Sequence, residues 1–470
     1  MKRALFFVLI VAVAAMVGCG SNSTSNSNQN TSQTGSGSLF VTGEDAPLSS
    51  VVGFQLTLNS VTLNGQSHNP QVVSDTTVDF ARLIGLRSPL AFNSVPADTY
   101  SSVTIIVSSP VISYIDMAAQ PTPTLSTING TLPQTPYTVQ VELPTPMVVS
   151  SNGLAGLKME MDIRDSLATD GNGNLVVTNN TVAVTPVFHI KATKASDPDG
   201  QITDLEGGLV SVSGDSFVLQ GPYGRQFTVD VVPGTTQFNS GWSINNLAAP
   251  AFVSVEGTFQ ADGTLSATGV EVITTAHSFV SGRILQVVSN SSGDAQQITM
   301  WVGETGADMV NDVDTIQTID ISAVTQYEIC FFDGALAELL FNDQSMIVGQ
   351  RIFVGGSYVS GVFTPQMISL RRQGVYGLFN PGSVTVTNAP NQGSFTLSNN
   401  GLAGYLTDGT VTVDTFNATV FYNLNGLGQL QSTNTPIPII ARGLFLKDPL
   451  NNGAPTFFAG FVSDPPQPTN

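Results

Sequence analysis

Charge is scarce in this 470-residue sequence. Asp, Glu, Lys and Arg make up 10% of it, and only 15 residues are basic against 34 acidic ones. A chain so poor in Lys and Arg offers no cationic face to a phosphate backbone, which argues against nucleic acid as a partner. The same shortage argues against a polybasic protein of the membrane surface. Cysteine is rarer still: Cys19 lies near the start and Cys330 deep in the chain. Neither a disulfide framework nor a cysteine zinc site can be built from these two. Cys330, in the run YEICFF, reads as a small buried hydrophobe. The three histidines, His68, His189 and His277, stand far apart with no metal-ligand spacing. A nucleophile elbow, a Walker sequence and a Gly-rich loop opening a helix are all missing.

What is plentiful is apolar and turn-forming. Hydrophobic residues make up 41% of the chain, with 45 Gly and 26 Pro. This composition disfavours long helices and suits strands joined by turns. The length predicts two to four domains at roughly 100–200 residues each.

The N-terminus carries the sharpest signal. Lys2 and Arg3 precede an almost wholly apolar stretch, residues 4–17, which has signal-peptide proportions and is short for a membrane span. It ends in Met16-Val17-Gly18-Cys19, which resembles the bacterial lipobox, although Met16 stands where Leu is usual. The resemblance implies cleavage after residue 18 and acylation of Cys19, with the lipid bilayer as a partner. Two or more acyl chains, at about 0.8 kcal/mol per buried methylene, anchor a protein stably. Gly20 follows, where an Asp would imply inner-membrane retention, so the implied address is the outer membrane of a bacterial cell envelope. Loss of Lys2 and Arg3 with the leader leaves 13 basic against 34 acidic residues, a net charge of −21. Residues 20–38 hold sixteen Ser, Asn, Thr or Gln and three Gly, with nothing apolar. Such a segment is predicted to be a disordered tether reaching roughly 25 Å.

Beyond it, strict alternation marks strands. Phe54, Leu56 and Leu58 alternate with polar residues before the phase shifts to Val61 and Leu63, which predicts a bulge near Asn59-Ser60. Tyr137, Val139, Val141 and Leu143 alternate likewise, as do Leu157, Met159, Met161 and Ile163. Each pattern predicts one packed and one wet face in an antiparallel sandwich. Helical periodicity is confined to residues 335–341 and 79–86.

Residues 39–47 (LFVTGEDAP), the strand over 54–63, residues 96–106 (PADTYSSVTII) and the close over 157–190 resemble the bacterial family called domain of unknown function 4382. That resemblance covers about 150 residues, implies a prealbumin-like β-sandwich and brings no catalytic residues. A linker is predicted at 195–204 (ASDPDGQITD), followed by three units of one plan. The first of them is similar to domain of unknown function 5666, and its strand order implies a small barrel resembling the oligonucleotide-binding fold. The expected organisation is all-β: leader 1–18, lipid anchor and tether 19–37, sandwich 38–194, and barrel or sandwich units at 205–277, 278–373 and 374–463.

Chemistry-bearing clusters are few. Asp170, Asn172 and Asn174 have the spacing of early calcium-loop ligands, but Leu175 stands where Gly is needed and no Glu closes the loop, so a hairpin turn is expected. Glu160 and Asp162 lie roughly 6.6 Å apart along a strand, within a glycosidase's range. Flanking Lys158 and Arg164 favour a solvated ladder of alternating charge instead. Two acidic clusters, Asp197, Asp199, Asp204 and Glu206, then Glu304, Asp308, Asp312 and Asp314, are candidates for calcium, with solvated turn residues as the alternative. Of these, Asp197, Asp199, Asp204, Asp308 and Asp312 are the metal candidates carried forward; no other cofactor is implied. Tyr223, Trp242, Tyr358, Tyr376, Tyr405 and Tyr422 fall near turns or strand ends, as sugar-stacking platforms or as caps on cores.

The expected function is display and binding of an extracellular glycan or protein partner, without catalysis. A periplasmic spacer is the second reading and a carbohydrate-active hydrolase the third. Replacing Cys19 by Ser is expected to abolish palmitate labelling and release the protein from the membrane fraction. Unchanged labelling would overturn the anchor.

Overall fold

The computed structural model describes residues 35–464, apart from 47, 49–50, 84–86, 117–123, 171–174, 222–223, 333–335, 337–338, 389–390, 400–401, 406, 408 and 449–452. The predicted leader, Cys19, nearly all of the predicted tether and residues 171–174 thus lie outside the described residues, as do the side chains of Asp45, Ala46, Asp204 and Tyr405. Residues 84–86 of the predicted helical segment 79–86, and residues 335 and 337–338 of the predicted segment 335–341, fall outside them too; Phe80–Leu83 is a single 3-10 turn.

The first module is a sandwich of eleven strands: β1 (Ser36–Ala46), β2 (Val51–Gly65), β3 (Gln71–Asp79), β4 (Ser88–Pro96), β5 (Asp98–Asp116), β6 (Thr124–Thr131), β7 (Tyr137–Val149), β8 (Leu154–Asp162), β9 (Val177–Thr178), β10 (Thr181–Ala183) and β11 (Phe188–Thr193). One sheet has the order β11-β8-β1-β4 and the other β3-β2-β5-β6-β10-β9, with β7 also paired to β5. The sandwich is not purely antiparallel, because β1 runs parallel to β8 and β10 parallel to β6. Phe54, Leu56 and Leu58 of β2 point into the core, and its register on β5 slips between Leu58 and Ser60, where the sequence phase shifts. Tyr100 is fully buried, and its Oη donates to the Pro96 carbonyl at 2.8 Å, which ties the start of β5 to the preceding turn. β1 already begins at Ser36, so the last residues of the predicted tether are paired to β4.

Three six-stranded sheets follow. The first contains β12 (Ile202–Ser213), β13 (Ser216–Gln220), β14 (Gln226–Val231), β15 (Gln237–Phe238), β16 (Phe252–Phe259) and β17 (Leu265–Thr274). Pairing of β14 with β17 closes its five long strands into a barrel. The second contains β18 (Ser278–Ser289), β19 (Ala295–Thr305), β20 (Thr315–Asp320), β21 (Gln326–Ile329), β22 (Arg351–Val359) and β23 (Val362–Leu370), in the order β20-β19-β18-β22-β23-β21. The third contains β24 (Gln373–Phe379), β25 (Thr385–Asn388), β26 (Gln392–Ser398), β27 (Thr410–Tyr422), β28 (Pro438–Asp448) and β29 (Ala454–Ser463), and pairing of β24 with β26 closes a second five-stranded barrel. These are small Greek-key barrels of the kind the oligonucleotide-binding fold exemplifies. One local device recurs in all three units. A Cβ on Gly257, Gly356 or Gly443 would come within 2.3, 2.2 or 1.9 Å of a carbonyl oxygen on the paired strand. Each of these glycines sits at a register slip, where the sheet must bend to curl.

The described residues belong to one compact unit. Phenylalanines join the sandwich to the first barrel: Phe40 and Phe92 lie 5.6 and 5.4 Å from Phe259. Val52 and Ile115 of the sandwich pack with Leu285 and Trp301 of the second unit. Phe252 of the first barrel packs on Phe279 and Phe353 of the second unit. Leu444, Leu446 and Phe458 of the third unit belong to the second unit's core.

Ion pairs run through the same interfaces. Arg371, fully buried, donates from Nη1 to both oxygens of Glu271 at 2.9 Å and from Nη2 to Glu206 at 3.0 Å, tying the second unit to the first barrel. Arg351 adds a 2.6 Å bond to Glu206. The predicted linker is therefore part of the packing: Asp199 and Gly200 are buried, and β12 begins at Ile202. Replacing Arg371 by Met should cost about 3–5 kcal/mol, because two buried carboxylates lose their partner. Urea denaturation reads this directly. Adding Glu271→Gln to that variant should recover part of the loss, and full additivity of the two changes would refute the pairing as the cause.

Candidate functional site

The carboxylates that look catalytic in the sequence lie in a buried layer. Residues 155–162 of β8 are buried on both faces, unlike the predicted half-wet strand. The alternating charges are not a solvated ladder, because the second face of β8 is covered by the third unit and by the segment before β12. Lys158 Nζ sits 2.5 Å from Glu44 Oε2 and 3.4 Å from Glu160, and Arg442 of β28 also bonds Glu44. Asp199 bonds Lys191 and lies 3.9 Å from Lys158. Burial pushes the Asp199 carboxyl up, but the two lysines outweigh it and hold it below the usual range. Asp162 Oδ1 accepts from the Asp165 amide at 2.9 Å, capping the short helix at Ile163–Ser166. Arg87 and Arg442 are pushed down to about 10 by burial, and both approach the ring of Phe461.

The remaining metal candidates do not converge. Asp197 accepts from the Lys194 amide, Asp308 from the Ser278 hydroxyl and Asp312 from the Gln317 amide group. Among the described residues no group of three or more His, Cys, Asp and Glu is arranged to hold a metal ion. Of the aromatics, Trp242 packs against the first barrel's core, Tyr376 lies under Arg164 at 5.2 Å, Tyr422 lies under Lys191 at 5.2 Å, and Tyr358 is exposed. Cys330 is buried, with Sγ 3.7 Å from Glu271.

The structure places a different set of residues together. A cleft of about 770 Å³ opens where the sandwich, the first barrel and the second unit meet. This is the size of a small-molecule site. Its walls include Asp79, Arg82 and Ser88 from the sandwich, Glu206 and Gly221 from the first barrel, and Arg283, Trp301, Glu304, Asp314 and Arg351 from the second unit. Arg82 bridges two modules, with Nε 3.0 Å from Asp79 and Nη2 2.6 Å from Asp314. Its guanidinium lies 5.7 Å from the Trp301 ring centre. Asp79 also accepts from the Phe54 amide at 2.8 Å, yet burial holds its carboxyl above the ordinary value. Arg283 stands opposite Trp301 on β19 and Arg351 on β22, so the three share one sheet face. Gly303 makes room for the indole: a Cβ there would meet it at 2.9 Å.

Sequence reasoning passed over Arg82, Arg283, Trp301 and Arg351. The available signal was their rarity. Of the 13 Lys and Arg residues beyond Arg3, Lys194 alone is exposed. An arginine inside an apolar strand of such a chain marks an interior or cleft position.

One titration tests the layer on β8. His189 pairs in register with Glu160, and its Nε2 lies 3.9 Å from Asp162. Asp162 raises the imidazole above its usual value against the opposing effect of burial. Its stabilising share is full below the unfolded value of 6.5 and is lost as pH rises through the folded value. Stability should therefore fall with rising pH above 6.5 more steeply in the wild type than in His189→Gln. Identical slopes would contradict the assignment. No family model matches the chain, and no curated protein matches it, so the likeness to the two domains of unknown function rests on the residues quoted for it.

Proposed function

We propose that the chain is a non-catalytic cell-envelope lipoprotein, anchored in the outer membrane through acylated Cys19, that presents a preformed cleft to a glycan or protein partner. The observation that carries this reading is the three-module cleft itself. Its walls come from three modules that buried ion pairs and phenylalanine contacts hold together, so the site needs no large ordering on binding. The signal sequence, the lipobox-like Cys19 and the polar tether support exposure of that block away from the lipid. Binding is favoured over hydrolysis because Glu160 and Asp162, spaced for glycoside chemistry, are buried beside Lys158 and His189 rather than facing the cleft. The resemblance to two families of β-domains without known function agrees with it.

A spacer role in the periplasm is the alternative that the rigid block also suits. Protease shaving of intact cells, with a C-terminal tag and an intact periplasmic control, separates the two. Cleavage of the tagged modules before the outer membrane is opened is the expected result. Protection until it is opened would replace display with the spacer role.

A further inference from the structure

We propose that the cleft is an oxyanion site, in which Arg283 with Trp301 receives the single acidic group of a polyhydroxylated ligand such as an acidic sugar. The inference rests on the binding reading above and names the ligand class.

The argument begins with pairing. Every neighbouring arginine has a carboxylate: Arg82 has Asp79 and Asp314, Arg351 has Glu206, Arg371 has Glu206 and Glu271, and Arg372 has Glu256. Arg283 has none among the described residues. Its one hydrogen bond runs from Nη1 to the Gly349 carbonyl at a long 3.5 Å. Burial, and secondarily the charge of Arg351 beside it, push the guanidinium down to about 9, so it remains a cation at neutral pH. An arginine set back in a cleft beside a second arginine, with no anion, is unfavourable for the fold alone. A bound anion removes that penalty.

Trp301 supplies the second observation. It lines the same cleft, is 5% exposed, and its Nε1–H has no acceptor among the described residues. A buried indole donor normally finds a partner. Arg283 and Trp301 are directly opposed across β18 and β19, so their side chains stand on one face of the sheet. A guanidinium fork beside an N–H matches the planar oxygens of a carboxylate, and sulfate or phosphate presents the same chemistry.

The other walls limit the charge. Asp79, Glu206, Glu304 and Asp314 surround the arginines, so a second anionic group would meet carboxylates. Hydroxyl donors suit those carboxylates. The fitting ligand therefore carries one anion and several hydroxyls, and it is small enough for about 770 Å³. A long polyanion is disfavoured by the net charge of the chain.

The test is thermal unfolding of the full chain with glucuronate, glucose 6-sulfate, glucose 6-phosphate and neutral glucose, each at millimolar concentration. At least one acidic sugar should raise the midpoint by about 2 °C or more while glucose does not; the one that acts identifies the source of the oxyanion. Arg283→Gln should abolish the shift and Arg283→Lys should reduce it. Trp301→Phe, which keeps the ring but lacks the N–H, should also weaken it and carries the test if the Arg283 variants do not fold. No shift with any acidic sugar, or an equal shift in Arg283→Gln, overturns the proposal. Protease shaving reports on display independently, so either reading can fail while the other stands.

Discussion

The arrangement of this molecule depends on where a few cations go. With 13 basic residues beyond Arg3 and 34 acidic ones, the fold leaves one basic side chain exposed and sets several of the others against carboxylates from other modules. Arg371 joins Glu206 and Glu271, Arg442 joins Glu44, and Arg82 joins Asp314. Such pairs contribute little net stability, because taking both charges out of water offsets most of their attraction. The driving force for docking comes from apolar contacts such as Phe40 and Phe92 on Phe259 and Phe252 on Phe353. What the ions contribute is selection. A module docked in any other register would leave a buried charge unpaired, which is far more costly than losing a phenylalanine contact.

This division explains which parts of the fold were legible in the sequence. Alternation in β2 and β7 names the core face because their other face meets water or a polar neighbour. The slip at Leu58–Ser60 was readable for the same reason. β8 misled the reading because alternation of apolar and charged residues signals burial on one face only when the charged face is solvated. Here Lys158 and Glu160 face Glu44 and Asp199, charges 114 and 41 residues away from Lys158 in the chain. Nothing local distinguishes a charge facing water from one facing a distant partner. The segment at 195–204 misled in the same way: Asp, Pro and Gly predict a turn correctly, but not that the turn is buried.

The cleft was invisible for a related reason. Its walls are drawn from residues 55 to 351, and no motif spans that distance. Only the scarcity of cations pointed to it. When one basic residue is exposed and the other twelve are buried or half-buried, a residue without a carboxylate partner stands out. Arg87 is one such case, closed off in the layer beside Phe461, where its charge is moderated by Asp199 and Glu256. Arg283 differs because it opens onto a cleft, has a second arginine beside it and no carboxylate partner among the described residues, and faces an indole donor that also lacks an acceptor among them.

The same sorting shapes how the exterior meets a ligand. With cations withdrawn, the outer surface is polar and acidic, and its long-range field opposes the approach of anions rather than steering them in. Recognition of an acidic ligand must then come from short-range donors inside the cleft, where a lower effective dielectric strengthens each bond and salt screens it less than at the surface. Such a site does not gather polyanions indiscriminately; it suits one anionic group beside Arg283 and penalises a second beside the carboxylates that share its walls. Under the proposed envelope role, among charged polymers, that combination gives selectivity through repulsion outside and pairing inside, and it follows from the shortage of Lys and Arg in the chain.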